Sequence, residues 1–341
     1  MSRVPIQLVT GFLGSGKTTL LNRLMREPAF ANTALIVNEF GEIGLDHLLV
    51  TRSQDNVVLL DAGCLCCTVA DSLHETLADL HARKVRGTIP AFERAIIETT
   101  GLADPAPIIN TLLGHRLVTD HYALDSIIVT VDAQHGLSEL VQHAEVAKQI
   151  ALADRLVITK LDLAPMSPQL EQQLQAINPS ASRIDARESG AHVTAFAPAA
   201  RHRLPLVASA MRYRHAHDAA LHDARIRAHC FILAQAVTWS GIAAWWNVMV
   251  ETLGDRLLRC KGIVEIDGSG EIVFLQGVQR VFHRPERLGG WPDDDHRSRL
   301  VCITRDADDA TLRMTLRALS LPAGADPQVS LAQLESTRTF Q

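Results

Sequence analysis

Short, nearly continuous apolar runs recur along the first half of the chain, at 6–9, 34–37, 57–60, 95–97, 127–131 and 156–159. Runs of this length with few polar interruptions predict strands buried on both faces. Between several of them the apolar positions follow a helical spacing, over 18–26, 71–84 and 138–151. Strands alternating with helices predict crossover units and a mostly parallel sheet, the mark of an α/β domain. The pattern changes near residue 180. Asn178-Pro179 closes a helical stretch, and residues from about 189 to 223 are rich in Ala, His and Arg with no clear period. Further on come an apolar run at 230–237, a helix at 241–253 and a hairpin signal at 263–266 and 271–275 around Asp267-Gly-Ser-Gly270. A strand at 300–303 and a helix at 310–319 complete the pattern. The expected organisation is an α/β domain over 1–205, a linker over 206–225 and a smaller α+β domain over 226–341.

The first apolar run leads straight into Gly11-Phe-Leu-Gly-Ser-Gly16-Lys17-Thr18. Glycines at fixed spacing, then Lys-Thr, between a strand and a helix, form a phosphate-binding loop. Backbone N–H groups of such a loop curl around phosphate oxygens, and the helix N-terminus adds positive potential. Gly11, Gly14, Ser15, Gly16, Lys17, Thr18 and Thr19 are therefore the phosphate-binding candidates. Lys17 is expected at the β and γ phosphates, and the Thr18 hydroxyl on Mg²⁺.

Three further loops follow predicted strands. Thr159-Lys160-Leu161-Asp162 is close to the N-K-x-D element of GTPases, with Thr in place of Asn. A buried Asp162 would accept hydrogen bonds from guanine N1–H and its 2-amino group. Adenine has no donor there and would strand the carboxylate. The Lys160 stem would lie along the purine face. An ordinary strand-end loop capped by Asp162 is the plainer alternative. The run at 95–97 ends in Glu98-Thr-Thr-Gly101, an acid to hold a Mg²⁺ water and a glycine N–H to meet the γ-phosphate. Asn38-Glu-Phe-Gly-Glu-Ile-Gly-Leu-Asp46 has the character of a switch ordered by γ-phosphate and Mg²⁺. Its acids are Glu39, Glu42 and Asp46, for which a solvated surface loop is the alternative. Glu42 joins Lys17, Thr18, Glu98 and Gly101 as a catalytic candidate.

The chain has 341 residues, 47% hydrophobic and 21% charged, with a formal net charge of -5. Length alone predicts about two domains. The charge balance argues against a nucleic-acid partner, and no apolar run approaches the roughly 18 residues of a membrane span. No secretory leader is read at the N-terminus, so a cytoplasmic protein is expected, in which six cysteines are free thiols or metal ligands. Three of them stand within four residues, in Gly63-Cys64-Leu65-Cys66-Cys67. Such a cluster suits a soft metal, though buried thiols or a redox switch remain alternatives. An extended backbone points Cys64 and Cys66 one way and Cys67 the other, so convergence requires the loop to curl. Cys230, Cys260 and Cys302 stand alone in apolar runs and read as core.

Taken together, G-F-L-G-S-G-K-T-T-L at 11–20, N-E-F-G-E-I-G at 38–44, G-C-L-C-C at 63–67, E-T-T-G-L-A-D-P at 98–105 and T-K-L-D at 159–162 resemble the CobW/YjiA family of P-loop GTPases. Arg259-Cys-Lys-Gly-Ile263 and Gln276-Gly-Val278 are similar to that family's C-terminal domain. The resemblance implies a GTP-hydrolysing metallochaperone or metal-dependent activator, with GTP and Mg²⁺ as cofactors and Zn²⁺ or Co²⁺ as cargo. It implies Cys64, Cys66 and Cys67 as metal ligands, with Glu39 and His115 as further ones. A client metalloprotein would be bound mainly through the C-terminal domain, by a monomer or homodimer. The long histidine-rich tract of many members is missing, and only His215-Ala-His217 and His222 stand in its place. A solvated linker is the better reading of those residues, and a cobalamin-pathway role loses support. The rival readings are a metal-free redox-sensing GTPase, a cobalt chaperone of the cobalamin or nitrile hydratase type, and a small-molecule kinase.

Overall fold

The computed structural model describes residues 3–37, 58–61, 69–198 and 225–328. Glu39, Glu42, Asp46, Cys64, Cys66, Cys67, His215, His217 and His222 lie outside the described residues. Two compact units account for the chain.

In the first unit the strands are β1 (Val4–Gly11), β2 (Thr33–Val37), β3 (Val58–Asp61), β4 (Arg94–Glu98), β5 (Tyr122–Asp132), β6 (Arg155–Thr159) and β7 (Ser182–Asp185). They form one sheet in the order β3-β2-β4-β1-β5-β6-β7. Each adjacent pair is parallel, so the expected mostly parallel sheet is wholly so. The helices are α1 (Lys17–Leu24), α2 (Val69–Arg86), α3 (Ala106–Gly114), α4 (Arg116–Thr119), α5 (Gly136–Gln142), α6 (Ala144–Leu152), α7 (Pro168–Ile177) and α8 (Ala191–Phe196). Parallel strands need such crossovers because a tight turn cannot return the chain to the same end of the sheet. Ile6, Leu8, Val9, Ile96, Ile128 and Val157 are buried, as strands covered on both faces require.

The register aligns the strand ends. Val37 stands opposite both Asp61 and Glu98, and Glu98 stands opposite Val9. Strand order reverses around β1, and in open parallel sheets such a reversal opens a crevice at the carboxyl ends.

One expected helix is broken. The stretch 138–151 forms two helices because His143 leaves helical geometry, with φ -130 and ψ 110. Its ring lies tilted against Phe12, with 4.5 Å between centroids.

In the second unit, β8 (Ile226–Ile232), β9 (Leu257–Glu265), β10 (Ile272–Val278), β11 (Val281–Phe282), β12 (Glu286–Leu288) and β13 (Arg299–Arg305) form an antiparallel sheet. The expected hairpin is β9–β10, longer than its sequence signal at the open end and one residue shorter on each strand at the turn. The apolar run at 230–237 continues as strand only to Ile232. Among the described residues two α-helices complete the unit, α9 (Trp239–Leu253) and α10 (Asp309–Leu316). Thr238 caps α9 by accepting from the Gly241 N–H at 2.9 Å. The buried face of α9, with Trp245, Trp246 and Met249, packs with Phe231, Val264, Leu275 and Leu300. Gly277 is required in β10 because a Cβ there would collide with the Trp246 ring. Cys230, Cys260 and Cys302 are buried, as expected, and the Cys260 and Cys302 sulfurs lie 3.5 Å apart. The hydrogen-bonding contact with Cys260, and after it burial, push the Cys302 thiol pKa up, the state of a core residue and not of a nucleophile. Among the described residues no helix is long and apolar enough to cross a membrane.

Candidate functional site

The loop between β1 and α1 has the backbone its glycines predict. Gly11, Gly14 and Gly16 have φ of 139, 70 and 97, values that side chains seldom adopt. A Cβ on Gly11 would also strike Thr130 on β5. The loop is tied from inside: the Ser15 and Thr130 hydroxyls are 2.6 Å apart, and the Ser15 N–H donates to Phe12 O at 3.1 Å. Lys17 is nearly buried, and its ammonium donates to the carbonyls of Gly11 at 2.9 Å and Phe12 at 3.1 Å. Thr19 lies on the first turn of α1.

Glu98 reaches this loop from β4. The Thr18 hydroxyl donates to its Oε1 at 3.3 Å, and Glu98 is 6% exposed. A hydroxyl and a carboxylate converging at the N-terminus of α1 form a hard-oxygen set of the kind Mg²⁺ takes. Thr99 ties the two strands, donating from its hydroxyl to the Thr10 hydroxyl at 2.8 Å. Gly101 is pressed against the phosphate loop, and a Cβ there would collide with the backbone nitrogen of Leu13.

The loop after β6 also touches the phosphate loop. The Thr159 hydroxyl lies 2.8 Å from Ser15 O and 3.1 Å from Val131 O. Its methyl side leaves only 3.3 Å to a Cβ placed on Gly16. A β-branched hydroxyl residue thus suits the position that the GTPase element gives to Asn. Lys160 has φ 57, and its ammonium donates to Asp132 Oδ2 at 2.6 Å.

Asp132, at the end of β5, was not among the residues singled out from the sequence. Its side chain is 1% exposed. Its Oδ1 accepts from the N–H groups of Gln134 at 2.8 Å and His135 at 3.2 Å. Burial pushes its carboxyl up, but Lys160, those two N–H groups and the His135 ring together hold its pKa below the usual value. The available signal was an acid closing an apolar strand, the same that marks Glu98.

Asp162 is exposed. Its loop turns outward after Lys160, whose carbonyl accepts from Leu163 and Ala164 N–H groups. A cleft of about 560 Å³ opens beside it, lined by Leu161, Asp162, Pro165, Arg183, Asp185 and Arg187 among others. Arg187 pairs with Asp185 and donates to Leu161 O at 3.4 Å, bracing the loop from the end of β7.

His115 sits between α3 and α4. Its ring stacks on His74 of α2 at 4.0 Å, and its buried Nδ1 has no hydrogen-bond partner among the described residues. An orphaned imidazole nitrogen suits a metal ligand. It packs against the helix that begins two residues after Cys67. Among the described residues no three His, Cys, Asp or Glu side chains converge on a metal position.

Residues 5–185 match the CobW/HypB/UreG nucleotide-binding domain, and residues 226–320 match the cobalamin synthesis protein cobW C-terminal domain. The chain belongs to the CobW/HypB/UreG family. It is a P-loop GTPase of the CobW/YjiA type, with both of that type's domains. It is 31% identical to the zinc chaperone YjiA of Escherichia coli, across 94% of this chain and 99% of that one. To the zinc chaperone CobW of Pseudomonas aeruginosa it is 29% identical, across 93% and 92%. The crystal structure of the Zn(II)-bound YjiA GTPase from E. coli is similar with a TM-score of 0.69 and 28% identity, covering 94% of this chain and 100% of that one.

Proposed function

We propose that this chain couples GTP binding and hydrolysis to the binding and release of a transition metal, zinc before cobalt, and passes it to a client metalloprotein in the cytoplasm. The GTPase unit would span 1–205, a linker 206–225 and the client-binding unit 226–341, in a monomer or homodimer. The observation that carries this reading is the common carboxyl edge of the parallel sheet. The phosphate loop leaves β1 there, the loop with Glu39 and Glu42 leaves β2, the thiol loop leaves β3 and the Glu98–Gly101 loop leaves β4. Neighbouring strands are about 4.8 Å apart, so the roots of the thiol and phosphate loops stand roughly 14 Å apart. The β2 loop is rooted between β3 and β4, next to both the thiol loop and the Glu98 loop. A loop in that position, ordered by the γ-phosphate and Mg²⁺, would carry the nucleotide state to Cys64, Cys66 and Cys67.

In this reading Lys17 meets the β and γ phosphates, and Thr18 and Glu98 hold Mg²⁺ directly or through water. The ion would neutralise phosphate charge during hydrolysis. Zinc is the cargo, held by the three thiolates with Glu39 or His115. The E. coli and P. aeruginosa relatives are both named zinc chaperones, which supports zinc as the first choice. If zinc release to a chelating dye is followed through one turnover of GTP, release should keep pace with phosphate production. Release at the same rate with a non-hydrolysable analogue contradicts the proposal.

Asp162 would read the base. A guanine seated beside Lys160 covers the exposed carboxylate, so its two hydrogen bonds form away from water. Asp162→Asn places an amide donor against a guanine donor, and GTP should bind about 10- to 100-fold more weakly. Xanthosine triphosphate carries a carbonyl in place of the 2-amino group and should bind the variant better than GTP does. A variant whose GTP affinity is unchanged removes Asp162 from the base site.

A further inference from the structure

We propose that Gln149, assisted by Lys148, is a positioning residue that clamps the 101–104 loop against the phosphate loop and so sets the site's response to a γ-phosphate. The proposal rests on the reading of Gly101 as a γ-phosphate contact. Both residues lie on α6, outside every motif that marks the nucleotide site. Gln149 is fully buried. Its side-chain amide has two hydrogens and uses both, donating to Gly101 O and to Ala103 O at 3.1 Å each. Its Oε1 has no partner among the described residues, so the group is placed for its donors. A buried amide costs free energy unless it is hydrogen-bonded, and here the two bonds are spent on one loop. Lys148 donates to Asp104 Oδ2 at 2.7 Å, and Asp104 Oδ1 accepts from the Ala106 N–H at 3.0 Å, where α3 begins. Three points of the loop are thus fixed from one helix.

The same helix reaches the phosphate loop. His143, immediately before α6, packs with a tilted ring against Phe12. Gly101 packs on Leu13, the next residue of that loop, with no room for a Cβ between them. The two walls of the triphosphate site are therefore in contact, and α6 holds both from behind. Fixing the carbonyl of Gly101 fixes the rigid 101–102 peptide plane and, through the shared Cα, narrows the range of the adjoining plane that carries the Gly101 N–H. An N–H restrained before the nucleotide arrives has a smaller ordering cost when the γ-phosphate binds. GDP has no γ-phosphate and makes no use of this N–H.

The test compares GDP and a non-hydrolysable GTP analogue on the full chain, with kcat and KM for GTP. Gln149→Met keeps the length of the side chain and removes both donors. Affinity for the analogue should fall about tenfold, with lower kcat and higher KM, while GDP affinity stays as in wild type. Lys148→Met, at a partly exposed ion pair, should give the same selective loss at about threefold, and Lys148→Arg should restore it. Lys148 variants leave the core intact and carry the test if Gln149→Met does not fold. Equal losses for GDP and the analogue, or no loss for either, overturn the clamp. Lys17→Ala separates the two readings. If it leaves turnover intact, the phosphate-site reading itself fails; if it abolishes turnover while the α6 variants change nothing, only the clamp is wrong.

Discussion

Lys17→Ala is expected to abolish GTP turnover, with a loss of about 10²–10³-fold or more, the scale for removing one donor that stabilises developing charge. The ammonium is the single side-chain cation carried by the phosphate loop, and it is nearly buried at the N-terminus of α1. There it is screened little by solvent, so its effect on a phosphate oxygen exceeds that of a surface lysine. The substitution also removes two hydrogen bonds, to Gly11 O and Phe12 O. Those carbonyls belong to a loop held independently by Ser15, Thr130 and Thr159, so the fold should survive with a small fall in Tm. Wild-type turnover is itself expected to be slow, near the roughly 10⁻⁴ s⁻¹ of GTPases that lack an arginine finger. The assay is therefore single-turnover phosphate release with enzyme in excess. Unchanged release in the variant would remove the phosphate loop from the chemistry.

Cys66→Ser is expected to cost at least about 100-fold in zinc affinity, since the loss of even an outer-shell partner costs 10- to 100-fold. Serine keeps the size of the side chain and loses the soft donor. A free thiol has a pKa of about 8.5, and zinc binding displaces its proton. Three adjacent thiolates repel one another without a cation. The loop should therefore be metal-bound, protonated or oxidised, and zinc uptake by wild type should release protons. Nucleotide binding should hold in the variant, because Lys17 and Asp162 belong to strand ends other than β3. A parallel loss of GTP and zinc affinity would mean that the thiol loop supports the fold and is not a separate metal site.

The parts of this molecule legible in the sequence are those whose signal is local. The phosphate loop declares itself because strand, glycines, Lys17 and Thr18 follow one another without interruption. The parallel sheet is legible because strands buried on both faces are apolar throughout. Contacts between distant segments were not legible. Asp132 finds its partner Lys160 28 residues further on, and nothing around it announces the pairing. Gln149 reads as one polar position on a helix, yet its partners are carbonyls of a loop more than forty residues earlier. The break at His143 was equally hidden, since helical spacing continues through it while its ring packs against Phe12 of the phosphate loop. Short elements such as β7 and α8 carry too few apolar positions to show a period, and packing against longer neighbours holds them. Asp162 is exposed, and the sequence does not say whether protein or base would cover it.

The central claim is that the nucleotide state and the metal site are coupled, and linkage makes that coupling reciprocal. It is tested most directly by competitive zinc titration of the reduced wild-type protein against a chelating dye, once with GDP and once with a non-hydrolysable GTP analogue. The account predicts zinc affinities that differ between the two states by about 5- to 150-fold, a difference that shrinks or vanishes in Cys66→Ser. Equal zinc affinity in both states would contradict it, leaving a GTPase and a metal site that share a chain without acting on each other.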